Sequence, residues 1–169
     1  GIPTLVKFFG VKTAEAMVSQ DQSADLLLGN NVLAHVPDLN DFVAGMKILL
    51  KPNGIITMEF PHLQRLFDQV QFDTIYHEHF SYFSAVTVEK VFQKHGLRLF
   101  DVEEIATHGG SLRIYATHME NRGHSLSPRV IELKEREEKS GFTRLDTYLS
   151  FEKKVVEVKL SLLEFLIDA

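Results

Sequence analysis

The sequence predicts an α/β fold in which a largely parallel sheet carries helices on its faces. Strand patterns and helix patterns alternate over the first hundred of the 169 residues. A nearly continuous apolar run, ADLLLG at residues 24–29, is typical of a strand that is covered on both faces. Because connections of the strand–helix–strand kind build parallel sheets, this alternation indicates the α/β class.

The segments before residue 62 supply three strands and two helices. Strands are predicted over residues 3–9, 24–29 and 54–60, and a short helix over residues 13–20. A second helix is expected to begin near Pro37, because proline suits the first turn of a helix. Its end is predicted at KPNG, where Asn53-Gly54 has turn chemistry.

After Pro61 the pattern predicts a hairpin and then helices. A helix of about ten residues is expected first, followed by a helix over residues 87–95 that ends before Gly96. LRLFDVEEIA and SLRIYATHM, joined by THGG, predict an antiparallel hairpin. From Ser127 the chain is charged and amphipathic, which predicts two helices. We expect one domain over residues 1–120 and a helical extension over residues 121–169 that begins a second domain.

Composition and charge narrow the classes of function. Hydrophobic residues make up 44% of the chain and charged residues 24%, which is typical of a globular protein. The net charge is −5 and no basic face is visible, so we expect no nucleic-acid partner. No apolar run approaches a membrane span and no leader pattern opens the chain, so a cytoplasmic protein is expected. The absence of cysteine excludes disulfides and thiolate metal sites within these residues.

Polar clusters follow the predicted strands at the ends where open parallel sheets bind ligands. These clusters are Asn30, Asn31 and His35 after the strand over residues 24–29, and Glu59, Pro61 and His62 after the strand over residues 54–60. The stretch DTIYHEHFSYFS at residues 73–84 can fold over the same edge. The place of HGGS at residues 108–111 depends on the orientation of the hairpin.

Each cluster also has a purely structural interpretation. His62 fits a capping or surface residue, His35 fits a helix entry, and the two asparagines suit turn geometry. HGGS fits a turn that needs permissive glycines. The stretch at residues 73–84 is different, because a wholly solvated loop would expose several large apolar side chains. We therefore favour a functional role for that stretch.

Two kinds of chemistry fit the YHEH motif at residues 76–79. His77, His79 and a carboxylate are ligand types for a divalent metal, which would suit a metal-dependent isomerase or hydrolase. Alternatively, a histidine can take a proton near neutral pH while a neighbouring carboxylate orients it, and Tyr76 can donate to a developing oxyanion. A third interpretation is a sheet edge that binds a sugar nucleotide or a partner without chemistry.

Four blocks of sequence carry a resemblance to a known family. NNVLAHVPDLNDFV, LLKPNGIITMEFPH, QFDTIYHEHFSYFS and THGGSLRIYATH occur in this order. They resemble the class I S-adenosylmethionine-dependent C-methyltransferases that act on nucleotide-linked keto-deoxysugars. The resemblance implies the later strands of a Rossmann-like class I methyltransferase sheet with a C-terminal antiparallel hairpin, followed by an α-helical extension. It also implies S-adenosylmethionine as cofactor and a nucleotide-linked keto-sugar as small-molecule substrate.

The resemblance implies roles for particular residues. In this family a base removes the acidic proton beside the sugar ketone, and the resulting enolate attacks the methyl group of S-adenosylmethionine. By motif, His79 is similar to the base, Tyr76 and Glu78 to its binding and orienting partners, and His35 to the histidine near the enolate oxygen. The substrate-binding residues expected are His77, His108 and Ser111, and the cofactor-binding residues expected are Phe9, Gly10, Asn30 and Asn31.

Two features of the family are missing from these residues. The glycine-rich cofactor loop is absent, since GIPTLVKFFG is similar to the third strand of the family's sheet, and so is the cysteine-rich zinc module. We therefore expect a fragment, truncated at both ends, that binds S-adenosylmethionine weakly or not at all on its own and has little activity. No metal site is expected within the chain, and the resemblance implies no particular oligomeric state.

Overall fold

A four-stranded mixed sheet organises the computed structural model, which describes residues 1–169. The strands are β1 (Ala24–Asn30), β2 (Leu50–Pro61), β3 (Leu97–Ile105) and β4 (Ser111–His118), in the spatial order β1-β2-β4-β3. The helices are α1 (Val11–Val18), α2 (Leu39–Leu49), α3 (Leu63–Asp68), α4 (Ala85–Lys94), α5 (Pro128–Lys139), α6 (Leu145–Leu149) and α7 (Phe151–Asp168). Short 3-10 turns cover Leu33–His35, Phe72–Thr74 and Thr107–Gly109.

The register of β2 brings three loops to one edge of the sheet. β1 runs parallel to β2, with Asn30 opposite Glu59. β4 runs antiparallel to β2, with Ser111 opposite Pro61. The carboxyl ends of β1 and β2 therefore lie at the same edge as the turn between β3 and β4.

The core lies on one face of the sheet. Alternate residues of β2 and β4, such as Phe60 and Ile114, are fully buried there, as the two-residue period of a strand requires. Helices α2, α4 and α5 cover this face with buried side chains that include Phe92 and Leu133. The Phe60 and Phe83 rings meet edge to face at 5.3 Å, which joins the core to the end of the loop at residues 75–84.

Side-chain caps and one glycine set the helix boundaries. Asp38 accepts a hydrogen bond from the Asp41 N–H and begins α2, one residue after Pro37. Ser84 caps α4 by accepting from the Thr87 N–H, so Thr87 lies inside that helix. Gly96, at φ 71°, follows the end of α4 as predicted.

Three details of the predicted elements are wrong. Residues 3–9 form no strand, because no strand of the sheet lies beside them to share hydrogen bonds. β1 is covered on one face only, since Leu26 is 52% exposed and Leu28 is 66% exposed. KPNG forms no turn, because β2 runs through it from Leu50.

Two further predictions differ from the structure, since α3 has six residues rather than about ten and three helices rather than two follow Ser127. The remaining predicted elements are confirmed, with small shifts of their ends. Helices α1 and α4 lie close to their predicted positions, the hairpin of β3 and β4 is antiparallel, and the region after Ser127 is helical. The division into a domain over residues 1–120 and an extension over residues 121–169 stays a prediction. None of the helices combines the length and the apolar character that crossing a bilayer requires.

We expect Phe92→Ala to lower the free energy of unfolding by about 3–5 kcal/mol, because it leaves a cavity in the core. Phe92 is fully buried in α4, whereas Phe165 of α7 is 68% exposed. Phe165→Ala is the matched control and should change stability by less than about 0.5 kcal/mol. Urea denaturation followed by circular dichroism measures both variants. Equal losses in the two would contradict this description of the core.

Candidate active site

A cavity of about 520 Å³ opens at the sheet edge where β1 and β2 end. It is lined by Asn31, His35, Pro61, Leu66, Gln71, Asp73, Thr74, Tyr76, His79, His108 and Gly109. These residues come from the segment after β1, the end of β2, the segment over residues 66–79 and the turn between β3 and β4. The predicted convergence of the polar clusters at this edge is thus present in the structure.

Three aromatic side chains of the cavity pack against one another. The His35 and His79 ring centroids are 4.7 Å apart, and the Tyr76 ring lies 4.5 Å from that of His79. Outside the cavity lining, the Tyr82 ring meets His79 edge to face at 5.4 Å. His79 is therefore enclosed by aromatic rings on several sides.

Backbone carbonyls orient both histidines. His79 Nδ1 lies 3.0 Å from the Thr74 carbonyl oxygen, and His35 Nδ1 lies 2.9 Å from the Glu78 carbonyl oxygen. Because a carbonyl oxygen only accepts, each Nδ1 must carry the proton. In the neutral ring this leaves the Nε2 atom with a free lone pair. The arrangement thus holds two imidazole rings ready to accept a proton or a hydrogen bond through Nε2.

The loop that carries Tyr76 and His79 is tied to the segment that carries His35. The N–H groups of Phe80 and Ser81 both donate to the Ala34 carbonyl oxygen, at 2.9 and 3.2 Å. The Tyr82 hydroxyl donates to the Thr74 carbonyl oxygen at 3.3 Å. These bonds fix the distance between the two histidines through the backbone.

Strained backbone also lies at the cavity. Asn31 and His108, with φ of 51° and 52°, are two of the four non-glycine residues with positive φ, and both line the cavity. His108 is followed by Gly109 and Gly110, which also have positive φ. The Gln71 Nε2 group donates to the Gly109 carbonyl oxygen at 2.9 Å and holds this turn against the segment after α3. Backbone strain of this kind clusters at functional sites.

Other predicted site residues lie outside the cavity lining. His77 and Glu78 are exposed, and Glu78 meets His35 through its carbonyl oxygen. Ser111 is 1% exposed and donates to the Thr107 carbonyl oxygen at 3.3 Å. No group of three or more His, Asp or Glu side chains lies close enough to hold one metal ion. His77, His79 and a carboxylate are therefore not arranged as metal ligands.

Of the predicted cofactor-binding residues, Asn31 alone lines the cavity. Asn30 ends β1 and is exposed. Gly10 is buried against α2, where an added Cβ atom would overlap the carboxylate of Asp41. The Phe9 ring packs edge to face on Phe42 at 5.3 Å. Phe9 and Gly10 thus belong to the packing between α2 and the segment before α1.

The interpretation of His62 as a capping or surface residue is wrong. His62 is 1% exposed and its side chain makes no cap to α3. Its Nε2 atom lies 2.8 Å from Glu137 Oε1, and Glu137 is fully buried. Glu137 lies 75 residues further along the chain, so no local pattern could predict this pair.

Several polar residues of the site were assigned no role from the sequence. Gln71, Asp73 and Thr74 line the cavity, and Asp73 and Thr74 open the DTIYHEH stretch that the sequence singles out. Glu59 accepts from Arg113 Nη2 at 2.8 Å, and this hydrogen bond raises the pKa of the Arg113 guanidinium. The sequence does point to Glu59, because it is a charged residue near the end of an apolar strand. The Thr74 contribution is a backbone carbonyl, which leaves no mark in the sequence.

A cluster of charges surrounds Glu104 beside the hairpin turn. Arg136 Nη2 and Arg65 Nη2 lie 2.7 and 3.2 Å from Glu104 Oε1. Burial alone would raise the pKa of Glu104, but the hydrogen bond from Arg136 and the nearby positive charges outweigh it and lower the pKa. The cluster links α3, β3 and α5 at the back of the turn.

Comparison with known proteins places the chain among methyltransferases. A family model described as a methyltransferase domain matches residues 5–102, and one described as a C-methyltransferase C-terminal domain matches residues 106–169. The C-methyltransferase NovU of Streptomyces niveus is 35% identical over 151 residues, which are 89% of this chain and 36% of NovU. The chain therefore spans about a third of the length of that relative.

A solved structure shows the same fold. The crystal structure of a SAM-dependent methyltransferase from Anabaena variabilis superposes with a TM-score of 0.51 at 13% identity. The match covers 68% of this chain and 57% of that one. The predicted class I methyltransferase sheet is thereby confirmed.

We expect Glu104→Gln to lower Tm at pH 7, with the difference from wild type shrinking in acid. A carboxyl group whose pKa is lowered on folding stabilises the fold above its ordinary value of 4.5, and this stabilisation is lost as the pH falls through the lowered pKa. Thermal melts between pH 7 and pH 2 measure the effect. Glu138→Gln, at an exposed position of α5, is the control and should follow wild type at every pH. A constant difference across this range would argue against the ion pairs.

Proposed function

We propose that this chain, which belongs to the methyltransferase family, carries the substrate half of the active site of an S-adenosylmethionine-dependent C-methyltransferase. The observation that carries the proposal is the pair of neighbouring histidines, His35 and His79, which both keep Nε2 free at one cavity. C-methylation needs a base for a C–H bond and a group that stabilises the resulting oxyanion. A free Nε2 atom can act as the base, and the hydroxyl group of Tyr76, whose ring lies 4.5 Å from that of His79, can donate to the oxyanion.

In the proposed reaction His79 acts as the general base. Its Nε2 atom takes the proton from a carbon beside a ketone, while the Nδ1–H group stays bonded to the Thr74 carbonyl oxygen. The electron pair left on that carbon moves toward the ketone oxygen, where the Tyr76 hydroxyl group, or His35 when both of its ring nitrogens carry protons, holds the developing negative charge. General-base catalysis of this kind contributes roughly 10²–10⁴ in rate.

The cofactor supplies an electrophilic methyl group to the carbon that has lost its proton. The residues that we propose to face it are Asn30 and Asn31, at the carboxyl end of β1. Amide side chains suit the amino, carboxylate and hydroxyl groups of S-adenosylmethionine. Phe9 and Gly10 support this wall only indirectly, because they pack against α2.

We further propose a nucleotide-linked keto-deoxysugar as the substrate class. The support is the YHEHFSYFS motif and its resemblance to sugar C-methyltransferases. His108 lines the cavity opposite the YHEH loop and is the side chain that we propose to contact the sugar. His77 and Ser111 lie outside the lining and would act through the loops that they belong to.

In a chimera that joins the preceding residues of NovU to residue 1, we expect His79→Ala to reduce methyl transfer by about 10²–10⁴-fold while leaving substrate affinity unchanged. The assay follows labelled methyl groups from S-adenosylmethionine to a keto-sugar nucleotide, and calorimetry measures affinity. The matched control is His124→Ala, because His124 stacks on Phe100 at 4.4 Å, outside the cavity lining. Full turnover by His79→Ala would refute the assigned base, and unchanged affinity with lost turnover would refute a binding-only role.

We also expect S-adenosylmethionine to bind this chain weakly or not at all by titration calorimetry. The reason is that only Asn30 and Asn31 are available to it, and no glycine-rich loop is present in these residues. A chimera that joins the preceding residues of NovU to residue 1 should bind measurably. If neither polypeptide bound, S-adenosylmethionine would have to be removed from the proposed function.

A further inference from the structure

The proposed reaction gives no role to the buried carboxylate of Glu137. It is fully buried in α5 and accepts three hydrogen bonds. The donors are the Ala85 N–H at 2.8 Å, the Val86 N–H at 2.9 Å and His62 Nε2 at 2.8 Å. A buried charge is costly unless it is paired and hydrogen-bonded, so these three donors are what keeps the carboxylate in place.

Two of these donors belong to the first turn of α4. The first N–H groups of a helix have no partner within the helix and carry partial positive charge. Glu137 satisfies the N–H groups of Ala85 and Val86, which directly follow the loop that carries Tyr76 and His79. The carboxylate therefore anchors the point where that loop enters its helix.

The third donor, His62, joins the two loops that line the cavity. Its backbone N–H donates to the Gly110 carbonyl oxygen at 3.0 Å, in the turn that carries His108. The next residue, Leu63, donates its N–H to the Phe83 carbonyl oxygen at 3.0 Å, at the end of the His79 loop. His62 and Phe83 also form an isolated parallel bridge. Moving His62 would therefore move both loops together.

We propose that Glu137 is a positioning residue that holds the His79 loop and the His108 turn in register through His62 and the start of α4. The proposal rests on the proposed function, but the geometry that it predicts for the two histidine rings can be measured without any reaction. Glu137 lies in the residues that match the C-methyltransferase C-terminal domain, whereas His35 and His79 lie in those that match the methyltransferase domain. The C-terminal region thus shapes a site to which it supplies His108 but neither His35 nor His79.

The decisive variant is Glu137→Gln, read by nuclear magnetic resonance of histidine rings labelled with ¹⁵N. A glutamine offers one oxygen and one amide N–H₂ group to three donors, so at least one donor meets another donor. We expect the separate Nδ1–H and bare Nε2 signals of His35 and His79 to collapse toward averaged values as the loop is released. The control is Glu89→Gln, which removes the ion pair between Glu89 of α4 and Lys134 of α5 without touching His62.

A pair of His62 variants keeps the proposal testable if Glu137→Gln does not fold. His62→Gln retains an N–H donor near the position of Nε2, whereas His62→Leu removes it. We expect wild-type ring signals at His35 and His79 in His62→Gln and averaged signals in His62→Leu. Wild-type ring signals in every folded variant would overturn the proposal and leave Glu137 a purely stabilising role.

The same variants separate this proposal from the proposed function. The ring signals are measured on the chain without cofactor or substrate, so they remain informative even if no methyl transfer is found. If Glu137→Gln displaces the base, we expect this variant of the NovU chimera to have a kcat about 10²-fold lower, with KM unchanged. Loss of the ring signature without any loss of kcat would show that the positioning is real but that His79 is not the base.

Discussion

The register of β2 against its two neighbours is the constraint on which the rest of the molecule depends. Parallel pairing with β1 sets Asn30 opposite Glu59, and antiparallel pairing with β4 sets Ser111 opposite Pro61. A shift of one residue would turn every side chain of the strand to the other face and move the end of each loop. The buried alternation of β2 and β4 prevents that shift, because alternate side chains over Ile56–Phe60 and Leu112–Ala116 form part of the core. The convergence of three loops at one cavity follows from this packing.

Within the cavity, the backbone does much of the work of orienting the side chains. Two carbonyl groups accept the Nδ1–H groups of His35 and His79, and a third, at Ala34, receives two N–H groups of the His79 loop. A carbonyl has a single role in a hydrogen bond, so it selects one tautomer of an imidazole without a second titrating group. The ring nitrogens left unprotonated at the cavity are therefore set by the course of the chain around residues 74–81.

Some of these features depend on local sequence patterns and others on backbone groups or distant residues. This difference explains which parts could be predicted from the sequence. Helices with a clear apolar period and the β3–β4 hairpin depend on local patterns, and these predictions are correct. The strand predicted over residues 3–9 is absent because a strand needs a hydrogen-bonded neighbour. The predicted burial of Leu26 is wrong because burial depends on what covers each face of the sheet. The motif identified His35, Tyr76 and His79, which do share a cavity. The Thr74 carbonyl and the His62–Glu137 pair left no trace in any local pattern, since one is backbone and the other spans 75 residues.

The two regions that match family models do not fold as separate layers. β4 lies within the match to the C-methyltransferase C-terminal domain, yet it sits between β2 and β3, which belong almost entirely to the methyltransferase-domain match. Without β4, the two strands would have no hydrogen-bonded contact with each other, and the turn that carries His108 would be absent. The same region supplies α5, whose Val130 and Leu133 enter the main core and whose Glu137 meets the start of α4. A change in this C-terminal region would therefore alter the cavity as directly as a change in the YHEH loop.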